Sequence, residues 1–194
     1  AQVPLENFFK NPEKAGYQIS PDGKYFSYMA PYENRLNLFV QEVGSDKATR
    51  ITSETVRDLA GSMWANGHRI LYIKDTAGDE NFQLYGVNVD GTDSKAYTAF
   101  HKVRTTIIDP LENIDSLVII GLNKRNPQVF DPYRLNLNNG ELTQLAENPG
   151  NIQGWMTDHN GKLRVALAIV DGVNILGGYN ADTGARAVSY THLR

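Results

Sequence analysis

Turn-forming pairs recur along this chain at a near-constant spacing. Asp22-Gly23, Asn66-Gly67, the Asn113-Ile114-Asp115 segment and Asn160-Gly161 each stand before an apolar run, at steps of 44, 46 and 48 residues. A second register ends at Gly44, Gly91, Gly140 and Gly184, with steps of 47, 49 and 44. Two offset registers with one period of about 46 residues define a repeat protein rather than an ordinary globular chain.

The segments between the turns read as strands. Tyr25–Ala30, Leu36–Val43, Ile70–Lys74, Phe82–Val89, Leu117–Leu122, Tyr133–Leu137 and Leu163–Ile169 are rich in β-branched, aromatic and aliphatic residues. In Tyr133-Arg134-Leu135-Asn136-Leu137 the apolar residues alternate, which gives a strand with one buried and one wet face. Ser20-Pro21-Asp22-Gly23 supplies Pro with its fixed φ, Asp to bond its own backbone and Gly for a positive φ, so it closes a hairpin. Asp90-Gly91 and Asn139-Gly140 are hairpin signals of the same kind.

Two hairpins per repeat make four antiparallel strands, the blade of a β-propeller. The expected fold is therefore all-β: a lead-in over 1–16, about four blades over 17–187, and an atypical tail over 188–194 that reads as non-native. The only helix candidate is Pro4–Ala15, which Pro12 breaks. The fourth repeat looks degenerate, because Gly177-Gly178 falls inside its third strand. An open arc of blades exposes sheet edges, which points to a larger ring of seven or eight blades.

In the first repeat the expected order is a strand ending at Ile19, a second from Tyr25, a loop Pro31–Arg35, a third from Leu36 and a fourth near Arg50–Thr52. The loops Pro31–Arg35, Asp75–Asn81 and Asn123–Pro132 then share one face of the propeller, and these longer loops have room for function.

Composition removes several functions. With 19 Lys plus Arg against 22 Asp plus Glu there is no basic surplus for nucleic acid. No apolar run reaches the roughly 18 residues of a membrane helix. The absence of cysteine excludes thiolate chemistry and disulfides. No G-x-S-x-G segment, Gly-rich phosphate loop or H-E-x-x-H motif occurs, and His68, His101, His159 and His192 are spaced too widely along the chain to form a metal pair. No catalytic residue, metal site or cofactor is expected. Trp64 and Trp155, about two periods apart, read as packing between blades.

What remains is charge on the long-loop face: Glu33 and Arg35 in the first repeat, Asp79 and Glu80 in the second, Lys124 and Arg125 in the third. Carboxylates there can hold an ammonium group, and Arg125 can fork onto a carboxylate. The same positions also suit a solvated rim. Asp22, Asp115 and Asp158 read as turn formers.

The lead-in Pro4-Leu5-Glu6-Asn7-Phe8-Phe9-Lys10-Asn11-Pro12, the turn Ile19–Tyr25, and Leu38-Phe39-Val40 with Arg50-Ile51-Thr52 resemble the start of the N-terminal propeller of bacterial prolyl oligopeptidase family serine peptidases. Gly121–Pro127 and Phe130–Asn136 are similar to that family's third blade. The resemblance implies a seven- or eight-bladed propeller over a C-terminal α/β-hydrolase domain, which carries the Ser-Asp-His triad and acts on short peptides. No triad residue maps onto this chain, so alone it should be inactive. The family's dipeptidyl-peptidase members hold the free amino terminus with a Glu-Glu pair, and no such pair occurs in this sequence.

The start at Ala1 without Met fits a mature exported protein, periplasmic or secreted. The segment Val188–Arg194 looks like the translated adapter of a broken sequence end; the competing reading is a final strand Ala187–Tyr190. A stand-alone periplasmic propeller that binds a protein partner is the alternative function. A weaker one is a glycan-processing propeller with Asp79 or Glu80 as the acid, which needs a second carboxylate about 5–10 Å away.

Overall fold

A computed structural model describes residues 4–5, 13–180 and, as backbone only, 186–188. Among them there is no helix, and sixteen strands make four antiparallel sheets, each from four consecutive strands. The first holds β1 (Ala15–Ile19), β2 (Tyr25–Tyr32), β3 (Arg35–Glu42) and β4 (Ala48–Arg50). The second holds β5 (Gly61–Asn66), β6 (Arg69–Lys74), β7 (Gln83–Asn88) and β8 (Lys95–Ala96). The third holds β9 (Thr105–Asp109), β10 (Leu117–Asn126), β11 (Val129–Asn136) and β12 (Leu142–Gln144). The fourth holds β13 (Ile152–Thr157), β14 (Leu163–Val170), β15 (Val173–Tyr179) and β16 (Arg186–Val188). Of the helix candidate Pro4–Ala15, residues 6–12 lie outside the described residues, and Ala15 opens β1.

The chain divides into two compact units, 1–77 with 86–95 and 78–85 with 96–194. In the first, Leu38 and Val40 of β3 and Ile70 and Leu71 of β6 are almost fully buried. In the second, β10 supplies Val118, Ile119, Ile120 and Leu122, and β13 and β14 contribute a cluster of Ile152, Trp155, Leu163, Ala166 and Ala168. Each such aliphatic side chain removed from water contributes about 1.5–3 kcal/mol, which offsets the entropy of ordering the strands.

The first-register turn forms as its sequence dictates. Gly23 N donates to Ser20 O at 2.8 Å with Gly23 at φ +70°, and Ser20 Oγ donates to Asp22 at 2.7 Å. The Ser20 hydroxyl, and then the Lys24 amide, hold the Asp22 carboxyl below its ordinary 3.8. Asp90 is lowered chiefly by the Thr92 hydroxyl, and Asp158 chiefly by the Lys162 amide and then by Arg164. A depressed folded pKa contributes stability that is complete above the unfolded value and is lost as pH falls through the folded one. Replacing all three by Asn should therefore flatten the fall in stability below about pH 4, read from urea unfolding against pH. An acid limb as steep as in the parent chain would contradict this.

Three features differ from the sequence reading. The expected loop Asn123–Pro132 is mostly strand: β10 runs to Asn126 and β11 starts at Val129, leaving Pro127-Gln128 as the turn. Pro132, which ordinarily marks a break, sits inside β11. The expected loop Pro31–Arg35 narrows to a two-residue turn, with Glu33 and Asn34 at φ +48° and +63°. The fourth repeat is not degenerate: β14 pairs with β15 from Val165↔Gly178 to Val170↔Val173, glycines included. Of the tail, Val188 ends β16 and the residues after it lie outside those described.

The period also governs bonds that no turn signal announces. In the first three blades the second residue of a buried polar-led pair accepts a backbone bond from the outer strand side: Ile51 N to Leu38 O, Tyr97 N to Leu84 O and Leu145 N to Pro132 O, at 2.8–2.9 Å. The preceding side chain, Asn37, Gln83 or Asp131, accepts the amide of Glu54, Phe100 or Asn148. These positions step by 46 and 48, as the turns do. In blades one and two the amides of Leu38 and Leu84 donate to the hydroxyls of Thr52 and Thr98. In blade three that amide is absent, because the residue is Pro132, and the hydroxyl is absent too, because Ala146 stands one period after Thr98. Donor and acceptor are lost together, which is how a proline fits an interior strand.

Candidate functional site

The six charged residues expected on the long-loop face meet different fates. Glu33 is exposed at the tip of the β2–β3 turn, and Arg35 is half-buried as the first residue of β3. Asp79 and Glu80 are exposed in the loop that follows β6, and Asp79 accepts the Asn81 amide at 3.1 Å and its side-chain amide at 3.2 Å. This loop holds Ala77, Gly78 and Glu80 at φ +54°, +92° and +57°. Left-handed non-glycine residues cost energy and persist where the surroundings fix them, as they do in functional loops.

Lys124 and Arg125 lie at the end of β10, on the hairpin the sequence reading took for a loop. Lys124 is exposed, with its ammonium 4.5 Å from the centre of the Phe100 ring. Arg125 does fork onto a carboxylate, but onto one in its own blade. Its Nε and Nη2 each reach Asp131 at 2.9 Å, and Nη2 also donates to Asn148 O at 2.7 Å. The bond to Asp131 pushes the guanidinium pKa further up. Asp131 is wholly buried, and burial, reinforced by that carboxylate, also pushes up the phenol of Tyr133. Arg125 therefore fixes the hairpin to the segment after β12, with its Nε and Nη2 donors already engaged.

A cavity of about 510 Å³ lies in the second unit between β9 and β13, under the Pro127-Gln128 turn. Ile107, Phe130, Ile152 and Trp155 give it apolar walls, Gln128 and Gln153 add amides, and no charged residue lines it. Trp155 is buried and packs edge-on against Tyr179, with ring centres 5.3 Å apart, and Ile108 of the neighbouring blade packs on the same cluster. Its ring contact thus lies within its own blade, while the cluster it belongs to also takes Ile108 from the third blade. The cavity itself had no sequence signal, because its walls come from four separate strands and turns. The Asn37, Gln83 and Asp131 series did have one, since the three residues repeat at the blade period.

Among the described residues no cluster of three His, Asp or Glu side chains could hold a metal ion, and no helix is long and apolar enough to cross a membrane.

Consecutive four-stranded antiparallel sheets with turns in two 46-residue registers define a chain of β-propeller blades. Its homologues are dipeptidyl aminopeptidase and prolyl-oligopeptidase-like peptidases, in agreement with the resemblance read from the sequence. The chain is 32% identical over 166 residues to Dipeptidyl aminopeptidase BIII of Pseudoxanthomonas mexicana, a match that covers 84% of this chain and 24% of that protein. It is 31% identical over 157 residues to Dipeptidyl peptidase family member 6 of Caenorhabditis elegans, covering 75% of this chain and 21% of that one. The chain thus spans under a quarter of the length of these curated relatives. No family profile matches it. Among solved structures, a puromycin-hydrolyzing peptidase of Mycobacterium tuberculosis superposes with a TM-score of 0.62 at 14% identity, over 90% of this chain and 31% of that chain. TolB of Acinetobacter baumannii superposes at 0.56 and 16% identity, over 90% of this chain and 43% of that chain. At these identities the two structures speak for the propeller fold alone.

Proposed function

We propose that this chain is the propeller portion of an exported serine peptidase acting on short peptides, in which it gates and positions substrate for an α/β-hydrolase domain encoded beyond it. The observation that carries the reading is the match to a dipeptidyl aminopeptidase over 84% of the chain. Within the propeller, the strained loop after β6 is the best-placed element to meet a peptide. Asp79 and Glu80 stand exposed on it as anions, the complement of a free amino terminus. Lys124 offers an exposed cation for a peptide carbonyl or carboxylate, whereas Arg125 positions the β10–β11 hairpin and does not itself reach substrate.

The test uses the longer polypeptide that this reading requires, assayed with chromogenic dipeptide substrates beside the 194-residue chain. The longer protein should hydrolyse them and the chain alone should not. The double variant Asp79→Asn, Glu80→Gln should raise KM about tenfold with kcat nearly unchanged, the signature of lost binding rather than lost chemistry. A KM within twofold of the parent would remove this loop from substrate binding, and no hydrolysis by the longer protein would remove the peptidase reading.

A further inference from the structure

The fourth blade departs from the repeat at one position, and a cavity lies there. Met63-Trp64 of β5 and Gly154-Trp155 of β13 stand two periods apart, so β13 carries glycine where β5 carries a long side chain. Neither packing nor backbone demands that glycine. A Cβ placed on Gly154 would come no nearer than 3.9 Å to the rest of the fold, and its φ is not left-handed. Glycine inside a strand weakens it and often marks a place where a ligand approaches closely. Gly154 lines the cavity between β9 and β13, as does Gly150, where an added Cβ would meet nothing within 4 Å.

The cavity is also preformed. Buried Asn148 ties its rim: Nδ2 donates to Ile152 O at 2.7 Å, and Oδ1 accepts the amides of Gly150 and Ile152 at 2.9 and 3.1 Å. A rim held in this way has little left to order on binding. Its volume of about 510 Å³ falls in the range of small-molecule sites. Ile107, Phe130, Ile152 and Trp155 suit an apolar body, while the amides of Gln128 and Gln153 both donate and accept. No charged residue lines it, so a charged group entering would lose its hydration without gaining a partner. The Trp155 indole N–H is buried and meets no acceptor among the described residues, a donor that a ligand carbonyl against this wall would satisfy. Pro127-Gln128 joins the second and third strands of its blade, as the loop bearing Asp79 and Glu80 does one blade earlier, so the cavity lies at the same end of the sheets as those carboxylates.

We propose that this cavity between the third and fourth blades binds one uncharged residue of a peptide, its aliphatic or aromatic side chain among Ile107, Phe130, Ile152 and Trp155 and its main-chain amide against Gln128 and Gln153. Naming a peptide as the source rests on the peptidase reading. The preference for an uncharged apolar group that carries a carbonyl rests on the lining alone. The carboxylates of Asp79 and Glu80 and this cavity are then separate determinants, one for an amino terminus and one for a side chain.

The chain has two tryptophans, so its indole N–H resonances report the site directly, with Trp64 as internal reference and Trp64→Phe to assign them. The 194-residue chain, labelled with nitrogen-15 at the indoles, is titrated with N-acetylphenylalaninamide and with the charged N-acetylglutamate amide. The Trp155 resonance should move saturably with the first probe, with half-saturation at about 1–10 mM, and at least about tenfold more weakly with the second, while that of Trp64 stays in place. Gly154→Met, which restores the residue type of β5, should weaken the first probe at least about tenfold by filling the space it needs. Gly154→Ala, expected to weaken it about threefold, serves if the methionine variant does not fold. No saturable movement of the Trp155 resonance up to about 50 mM would overturn the proposal, as would equal affinity for the two probes or an affinity that both variants leave unchanged. Probe binding without peptide hydrolysis by the longer polypeptide would leave the cavity site standing and sink the peptidase reading. Hydrolysis by the longer polypeptide without probe binding would do the reverse.

Discussion

Replacing Asp131 by Ala should lower stability by about 2–3 kcal/mol, whereas Asp131→Asn should cost less than half as much. Asp131 is wholly buried, and its carboxylate takes three bonds: two from Arg125 and one from the Asn148 amide at 2.7 Å. Alanine leaves that buried amide without an acceptor and releases the guanidinium that ties the β10–β11 hairpin to the segment after β12. Asparagine keeps an oxygen for the amide and for Arg125 Nη2, as Asn37 does for Glu54 in the first blade, and gives up the charge and the bond from Arg125 Nε, which turns to water instead. Arg125 is 40% exposed on its side chain, so water compensates part of its loss. Urea midpoints followed by tryptophan fluorescence would measure both variants. Equal losses for Ala and Asn would show that the charge, and not the repeated amide acceptor, sets the energy of this position.

A second test reverses the substitution pair that distinguishes the third blade. Pro132→Leu restores the amide that Leu38 and Leu84 carry, but Ala146 offers no hydroxyl to receive it. A buried amide without a partner costs roughly 1–3 kcal/mol, so the single variant should lose about 2 kcal/mol. Adding Ala146→Thr supplies the acceptor found at Thr52 and Thr98, and should return at least half of that loss. The coupling is the informative quantity, because each change alone also alters packing. Two purely additive effects would contradict the repeat correspondence from which the pair was identified.

These two positions also show how far the sequence was legible. Turn chemistry and alternation are local signals, so the blades, the strand cores and the turn at Ser20–Gly23 could be read directly, and the structure has them in place. Pro132 misled for a physical reason: a proline argues against an interior strand unless the lost donor had no ladder partner, and that condition depends on residue 146, far along the chain. Gly177-Gly178 misled in the same direction, because the full register with β14 outweighs the weak strand preference of glycine. For the charged face, the residue types were legible and the engagement was not. Arg125 looked as available as Lys124 in sequence, yet Asp131 six residues on is buried beneath it. Such a pairing follows from the hairpin between Asn126 and Val129, which the sequence presented as a loop.

The most direct test of the central claim is a continuous read of the source DNA across the codon for Arg194. The account predicts that the reading frame continues beyond the fourth blade, through further repeats of about 46 residues, to a segment with the G-x-S-x-G pattern of a nucleophile elbow. A stop codon directly after Arg194 would contradict it, since the propeller would then have no catalytic domain to serve.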